Sequence, residues 1–337
     1  VDRSRGLGDV YKRQVEKKEI AEALSLVASV AEKRQSIPVL SNILLKAEKD
    51  GLTLIATDLE IELTFKISKI VLDKEGETTA SARKLADLVR SVPEDTVLTF
   101  ELLENQLEIS ALKFQADFST LPVGDFPITE LSEFERDVAL PGRELAELIE
   151  KTSFAMASQD VRYYLNGILL EVSPSQINVV ATDGHRLAWA SCKIKTDFTD
   201  EKIIIPRKSA IELQKLLNLF PDNVNIAFNS NQLRVFSDEF TFISKLIEGS
   251  YPDYEKVFPQ GTEQKLKANK SSVQTALNRA AVLSNEKYRG VKFILNKDNL
   301  KICANNPSKE SAEEEVSVDY AGESFEIGFN ISYVQES

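Results

Sequence analysis

The chain is predicted to be an α+β protein made of three tandem copies of one domain, with antiparallel sheets, a few helices packed on one side, and an incomplete third copy. Three observations predict this. A helix-like segment recurs from Glu19 (EIAEALSLVASVA), Glu144 (ELAELIEKTSFAMA) and Ser271 (SSVQTALNRAAVLS). In each, apolar residues return at helical spacing, as Leu145, Leu148 and Ile149 do. Each segment is followed by two strand-like runs, from Ser41 (SNILLKAEKDGLTLIATD), Asn166 (NGILLEVSPSQINVVATD) and Arg289 (RGVKFILNKDNLKICANN). The period is about 125 residues, a self-similarity that decides the fold before any single element does.

In chain order, residues 1–14 (VDRSRGLGDVYKRQ) are basic and lack apolar periodicity, and are expected to lie outside the fold as a non-native or disordered tail. The first domain is placed at 15–135, the second at 136–262 and the third at 263–337. Polar linkers at Glu130–Arg136 and Gln260–Lys265 separate them. Each full copy contains the helix-then-strands pattern twice. ARKLADLVRSVPEDTVLTFELLENQLEIS from Ala82 matches PRKSAIELQKLLNLFPDNVNIAFNSNQLRVF from Pro206, a helix with a Pro-marked stop followed by paired strands. Asp125-Phe126-Pro127 closes copy one and Tyr251-Pro252 closes copy two. In copy three a second helix is due at Asn330-Ile331-Ser332. The copy is expected to be about 40–45 residues shorter than its sisters, with exposed sheet edges.

Composition narrows the function. The 337 residues are 42% hydrophobic and 28% charged, enough apolar content for real cores. No membrane span or signal peptide is visible. Two cysteines make no disulfide framework, so a reducing cytoplasm is expected, and one His with two Cys argues against a zinc site. A net charge of -12 disfavours a protein that coats DNA, while leaving room for one that is acidic outside and basic on an inner face.

One stretch stands out, 177–190 (INVVATDGHRLAWA), which holds the only His and the only Trp. Asp183-Gly184 between apolar runs predicts a hairpin turn. Copy one shares Ala56-Thr57-Asp58 with Ala181-Thr182-Asp183. It then continues Leu59-Glu60-Ile61 where copy two has Gly184-His185-Arg186. A difference at one turn of otherwise matching copies points to a role peculiar to the second.

SIPVLSNILL, STLPVGDFP, DVRYYLNGILLE, VATDGHRLAWAS, IIPRKSAIEL, SKLIEGSYPDY, LSNEKYRGV and IGFNISYV, in this order and spacing, resemble the β subunits of bacterial DNA polymerase III, the sliding clamps. The resemblance runs from about Val15 to Val334. It implies three like domains per chain and two chains joined head to tail in a ring around double-stranded DNA, with helices lining the hole and sheets outside. It also implies a peptide-binding pocket at Leu165, Thr182, Gly184, His185, Arg186, Leu187, Pro252 and Val257. The apolar members would offer a wall for a partner's Leu or Phe, with His185 and Arg186 at the rim. DNA-facing positions would be Arg34, Arg83, Gln159, Arg162, Tyr164, Arg207 and Lys208, holding phosphates without reading sequence. The homodimer junction would set Ala116 and Phe118 against Val282 and Leu283. Implied partners are the polymerase alpha subunit, an ATP-driven clamp loader and other proteins carrying a clamp motif. No cofactor or metal is implied.

An enzyme is disfavoured: there is no G-x-S-x-G nucleophile motif and no phosphate loop. The nearer alternatives are a monomeric tandem-repeat scaffold for peptides and a clamp fragment without function. Oligomeric state separates the scaffold from the ring.

Overall fold

The computed structural model describes residues 11–31, 37–72, 74–103, 106–130, 133–134, 136–196, 199–259, 261 and 265–337, with side chains from residue 14 onward. The first repeat runs β1 (Tyr11–Glu16), α1 (Lys17–Val30), β2 (Asn42–Glu48), β3 (Gly51–Thr57), β4 (Ile61–Ile67), β5 (Val71–Leu72), β6 (Gly76–Ser81), α2 (Ala82–Ser91), β7 (Val97–Leu103), β8 (Gln106–Ala111) and β9 (Phe114–Ser119). The second runs β10 (Val138–Pro141), α3 (Gly142–Ser153), β11 (Gly167–Ser173), β12 (Gln176–Thr182), β13 (Leu187–Lys193), β14 (Glu201–Pro206), α4 (Arg207–Leu219), β15 (Asn223–Phe228), β16 (Gln232–Phe236) and β17 (Phe240–Lys245). The third comprises α5 (Lys270–Val282), β18 (Gly290–Asn296), β19 (Asn299–Asn305), β20 (Ser311–Ser317), β21 (Phe325–Asn330) and α6 (Ile331–Glu336).

These elements follow from the sequence pattern. Helix α1 buries Ile20, Leu24 and Val27, one stripe at three- and four-residue steps, against β3 and β4. Helix α2 stops before Pro93 and α4 before Pro221, where proline bars helical backbone in the residue ahead of it. Helices α5 and α6 are each capped by an asparagine: Asn269 Oδ1 accepts the Ser272 N–H at 3.1 Å and Asn330 Oδ1 accepts the Ser332 N–H at 2.9 Å. Among the described residues every ladder is antiparallel. Buried residues alternate where a strand has one wet face, as in β16.

Among the described residues four sheets result, in the orders β5-β1-β7-β8-β9, β10-β15-β16-β17-β4-β3-β2-β6, β13-β12-β11-β14 and β20-β19-β18-β21. The eight-stranded sheet joins the first two repeats. Strand β17 pairs with β4 in the register Phe240↔Phe65, Phe242↔Leu63 and Ser244↔Ile61. Phe65, Phe220 and Phe240 seal this junction with ring centroids 4.9–5.9 Å apart. One apolar core therefore runs through both repeats, and residues up to Tyr251 form one compact unit. The second unit, from Pro252, has its own core of Leu277, Ala280, Ile302, Tyr320 and Ile331. Its outer strand β21 leaves Phe325, Ile327 and Phe329 exposed.

One expectation needs correction. Residues 11–14 belong to the fold: β1 pairs Tyr11↔Leu102 through Glu16↔Val97. A strand laid beside β7 is held by its backbone ladder. Four polar-leaning residues can join it without any apolar period of their own.

Candidate functional site

The turn after β12 is built by its own side chains. Thr182 Oγ1 donates to the Arg186 carbonyl at 2.6 Å and accepts the Gly184 N–H at 3.0 Å. Asp183 Oδ1 accepts the N–H groups of His185 and Arg186 at 2.9 and 3.0 Å. The expected hairpin forms, closed by a four-residue loop because Thr182 pairs with Leu187 across the strands. Gly184 takes φ +87°, and an added Cβ there would meet the Arg162 guanidinium at 3.1 Å.

Below the turn, the Thr182 N–H donates to the Tyr251 hydroxyl at 3.0 Å. Burial pushes that phenol up to about 12, with the Thr182 N–H bond pulling the other way. Tyr251 thus anchors the turn, a role signalled in the sequence only by its place in the closing Tyr-Pro pair. Arg186 is half-buried and held on three sides. Its Nε lies 3.1 Å from Asp183, one terminal nitrogen donates to the Phe154 carbonyl at 2.6 Å, and the guanidinium carbon sits 5.4 Å from the Phe154 ring centroid. His185 projects to solvent, Leu187 is half-buried, and Leu165 is closed off at 2% exposure. Pro252 and Val257 lie in the second compact unit, where Val257 ends a short 3-10 turn and is exposed.

The DNA-facing candidates divide into anchored and open groups. Arg162 grips Asp160 through two bonds of 3.0 and 2.8 Å and donates to the Asp183 carbonyl at 3.3 Å. The loop carrying Gln159, Arg162 and Tyr164 therefore rests on the Gly184 turn. The Arg162 guanidinium lowers the Asp160 carboxyl to about 2. Arg207 supports the same loop, its guanidinium donating to the Met156 carbonyl at 3.1 Å. Lys208 reaches across the repeat junction to the Asp58 carboxylate, as an exposed ammonium on a nearly buried acid. Arg83 is almost fully exposed, 3.8 Å from Asp87. Gln159 is exposed with φ +59°, and Tyr164 is half-buried. Arg34 lies outside the described residues. Among the described residues, no group of three His, Cys, Asp or Glu is placed to hold a metal ion, and no helix is long and apolar enough to cross a membrane.

At the candidate junction, Ala116 and Phe118 sit on β9, which pairs with β8 and ends its sheet. Val282, at the end of α5, is 78% exposed, so it is not a core residue; Leu283 is half-buried. Beside β9 lies an apolar groove formed by Leu88, Val92, Pro93, Leu112 and Phe114, which sequence reasoning missed. Leu112 is 80% exposed with φ +57°, a conformation no sequence pattern announces at a leucine.

Known proteins match nearly the whole chain. The models of the N-terminal, central and C-terminal domains of the DNA polymerase III beta subunit match residues 12–131, 139–253 and 255–337. A beta sliding clamp of Pseudomonas putida is 44% identical over 321 residues, 95% of this chain and 88% of the relative. The beta sliding clamp of Escherichia coli K12 is 39% identical, over 96% of this chain and 88% of its own length. The crystal structure of the DNA polymerase III subunit beta from Pseudomonas aeruginosa superposes with a TM-score of 0.90 at 42% identity, covering 96% of this chain and 89% of that one. A second structure from that organism, bound to griselimycin, gives 0.89 at 42% identity, with 97% and 89% covered.

Proposed function

The chain belongs to the DNA polymerase III beta subunit family, the sliding clamps, and on that premise we propose that it is a processivity factor. Two chains close head to tail into a ring around duplex DNA. The ring tethers the polymerase alpha subunit and other partners through a pocket on the second repeat. The chain is non-catalytic, uses no cofactor and works in the cytoplasm, with an ATP-driven loader opening the ring.

The observation that carries this reading is the shared sheet. Strand β17, the last strand of repeat two, pairs with β4, the third strand of the first sheet in repeat one. The counterpart of β17 in repeat one is β9, and the counterpart of β4 in repeat three is β20. Both stand at the ends of their sheets. Joining β9 of one copy to β20 of another repeats the junction already made within the chain. Done twice, it links the first repeat of each chain to the third repeat of the other. The groove at Leu112 and Phe114 beside β9 would give that junction an apolar core. The net charge of -12 keeps stray DNA off the outside, while Arg83, Arg162 and Lys208 meet phosphates through contacts weak enough to slide.

Light scattering on the eluting protein tests the ring. A mass near twice 37.6 kDa is expected, and a monomer at all micromolar concentrations would leave a peptide-binding scaffold as the better reading. For the pocket, Leu187→Asp should weaken partner-peptide binding there by about tenfold or more without changing that mass. An unaltered affinity removes the pocket assignment.

A further inference from the structure

The turn of repeat two has a twin in repeat one, and the twin opens onto a cavity of its own. Leu59 stands where repeat two has Gly184, at φ +74° and 43% exposed. A left-handed leucine carries a strain that glycine would not. The cavity beside it measures about 470 Å³ and lies wholly within the first compact unit. Leu59, Pro127 and Ile128 form its apolar wall, and Ile128 is 50% exposed. Gln232 and Lys245 line it from repeat two.

The wall is built firmly. The segment after Pro127 is pinned by buried Glu62, whose Oε2 accepts the Thr129 N–H at 2.7 Å. Next along, the Glu130 carbonyl accepts from the Gln232 side chain at 3.4 Å. On the far side, the Lys245 N–H donates to the Glu60 carbonyl at 2.9 Å, fixing the lysine backbone against the turn and leaving the side chain exposed.

We propose that this cavity is a second peptide site, taking a short extended segment with a bulky apolar side chain next to a carboxylate. Leu59 and Ile128 receive the apolar side chain. Among the described residues Lys245 is the one cation of the lining, and Glu130 stands on the same rim. A single ammonium can pair with one carboxylate and is too little positive charge to hold a polyanion such as a nucleic acid. The class of ligand rests on the reading of repeat two; the residues do not.

The test uses the full chain and a fluorescein-labelled Gly-Gly-Leu-Phe peptide with a free C-terminal carboxylate, read by anisotropy. Leu187→Asp, which disables the repeat-two pocket, should retain saturable binding. Adding Lys245→Glu or Leu59→Gly to that variant should weaken the remaining binding by about fivefold or more. The C-terminally amidated peptide should bind the Leu187→Asp variant weaker by a similar factor. Leu59→Gly keeps the turn, so an unchanged or higher melting temperature will separate lost binding from lost folding. Complete loss of binding in Leu187→Asp alone overturns the second site and leaves the repeat-two pocket standing. Undiminished binding in Leu187→Asp together with loss in Lys245→Glu overturns the repeat-two pocket and leaves this one. No saturable binding to the wild-type chain, or double variants that bind as well as Leu187→Asp, overturns the proposal.

Discussion

Two turns, Thr57–Ile61 and Thr182–Arg186, have the same hydrogen bonds and different exposed residues. In repeat one, Thr57 Oγ1 donates to the Ile61 carbonyl at 2.8 Å and accepts the Leu59 N–H at 3.0 Å. Asp58 Oδ1 accepts from Glu60 and Ile61 at 2.9 and 2.7 Å. The same four bonds recur in repeat two. The Thr-Asp pair is thus sufficient to build the loop, and the third residue is free to differ. Repeat two places a glycine there, under the Arg162 guanidinium; repeat one places a leucine beside a cavity. The shared residues carry the scaffold, and the unshared ones carry whatever is specific to each repeat.

The comparison breaks hardest at the threonines. Thr57→Val leaves the Leu59 N–H without its partner and the Ile61 carbonyl with the Asp58 N–H alone, in a site where Thr57 is 1% exposed. A loss of about 1–3 kcal/mol is expected in denaturant unfolding, with a smaller loss for Thr182→Val, whose site is wetter. An equal loss for both would mean that burial does not set the cost.

Next comes the third position, where opposite signs are expected. Gly184→Ala should cost about 1–2 kcal/mol, from its left-handed φ and the Arg162 contact, while Leu59→Gly should be neutral or mildly stabilising. Destabilisation by Leu59→Gly would show that the leucine packs for stability.

A smaller effect separates the repeats by pH. Glu62, whose counterpart in repeat two is Leu187, is held above the ordinary carboxyl range by burial, against the opposing pull of its Thr129 hydrogen bond. Its folded state binds the proton more tightly than the unfolded chain. The charged carboxylate therefore costs stability as pH rises through the raised pKa, and costs nothing below the ordinary value of 4.5. Glu62→Gln keeps an acceptor for the Thr129 N–H. Its melting temperature should exceed that of the wild type at neutral pH, with the gain fading as the solution is acidified. A gain that grows on acidification would reverse the assignment.

The smallest effect belongs to the pair that crosses between the repeats. Lys208→Met removes an exposed ammonium from the nearly buried Asp58 carboxylate, which keeps its bonds from the Glu60 and Ile61 N–H groups, so less than about 1 kcal/mol should be lost. If Lys208 meets phosphate, the same variant also flattens the salt dependence of DNA binding, whereas an unchanged salt slope would assign the lysine to the junction alone.

Helices α1–α5 and the strand pairs β2–β3, β7–β8, β11–β12, β15–β16 and β18–β19 were legible because helical and strand-like apolar patterns recur from copy to copy. The equivalence of Thr57 with Thr182 was legible too, because the flanking strands align them without a gap. Strand β1 was not legible at Tyr11–Gln14, since a backbone ladder leaves no mark on side-chain pattern. Arg186 read as a rim cation, and the sequence gives no hint that the Phe154 carbonyl, 32 positions away, holds it.

By itself the sequence determined the repeat, the α+β class and the turn, which rest on local spacing, and the family, which rests on the resemblance of whole segments. Only the tertiary structure decided that β17 joins β4, that Tyr251 holds Thr182, that Arg162 rests on Gly184, and that Leu59 borders a cavity. Those facts depend on groups far apart in the chain meeting within a few ångströms. Spacing along one segment cannot encode such meetings, because which surfaces pack is settled by burying the whole chain at once.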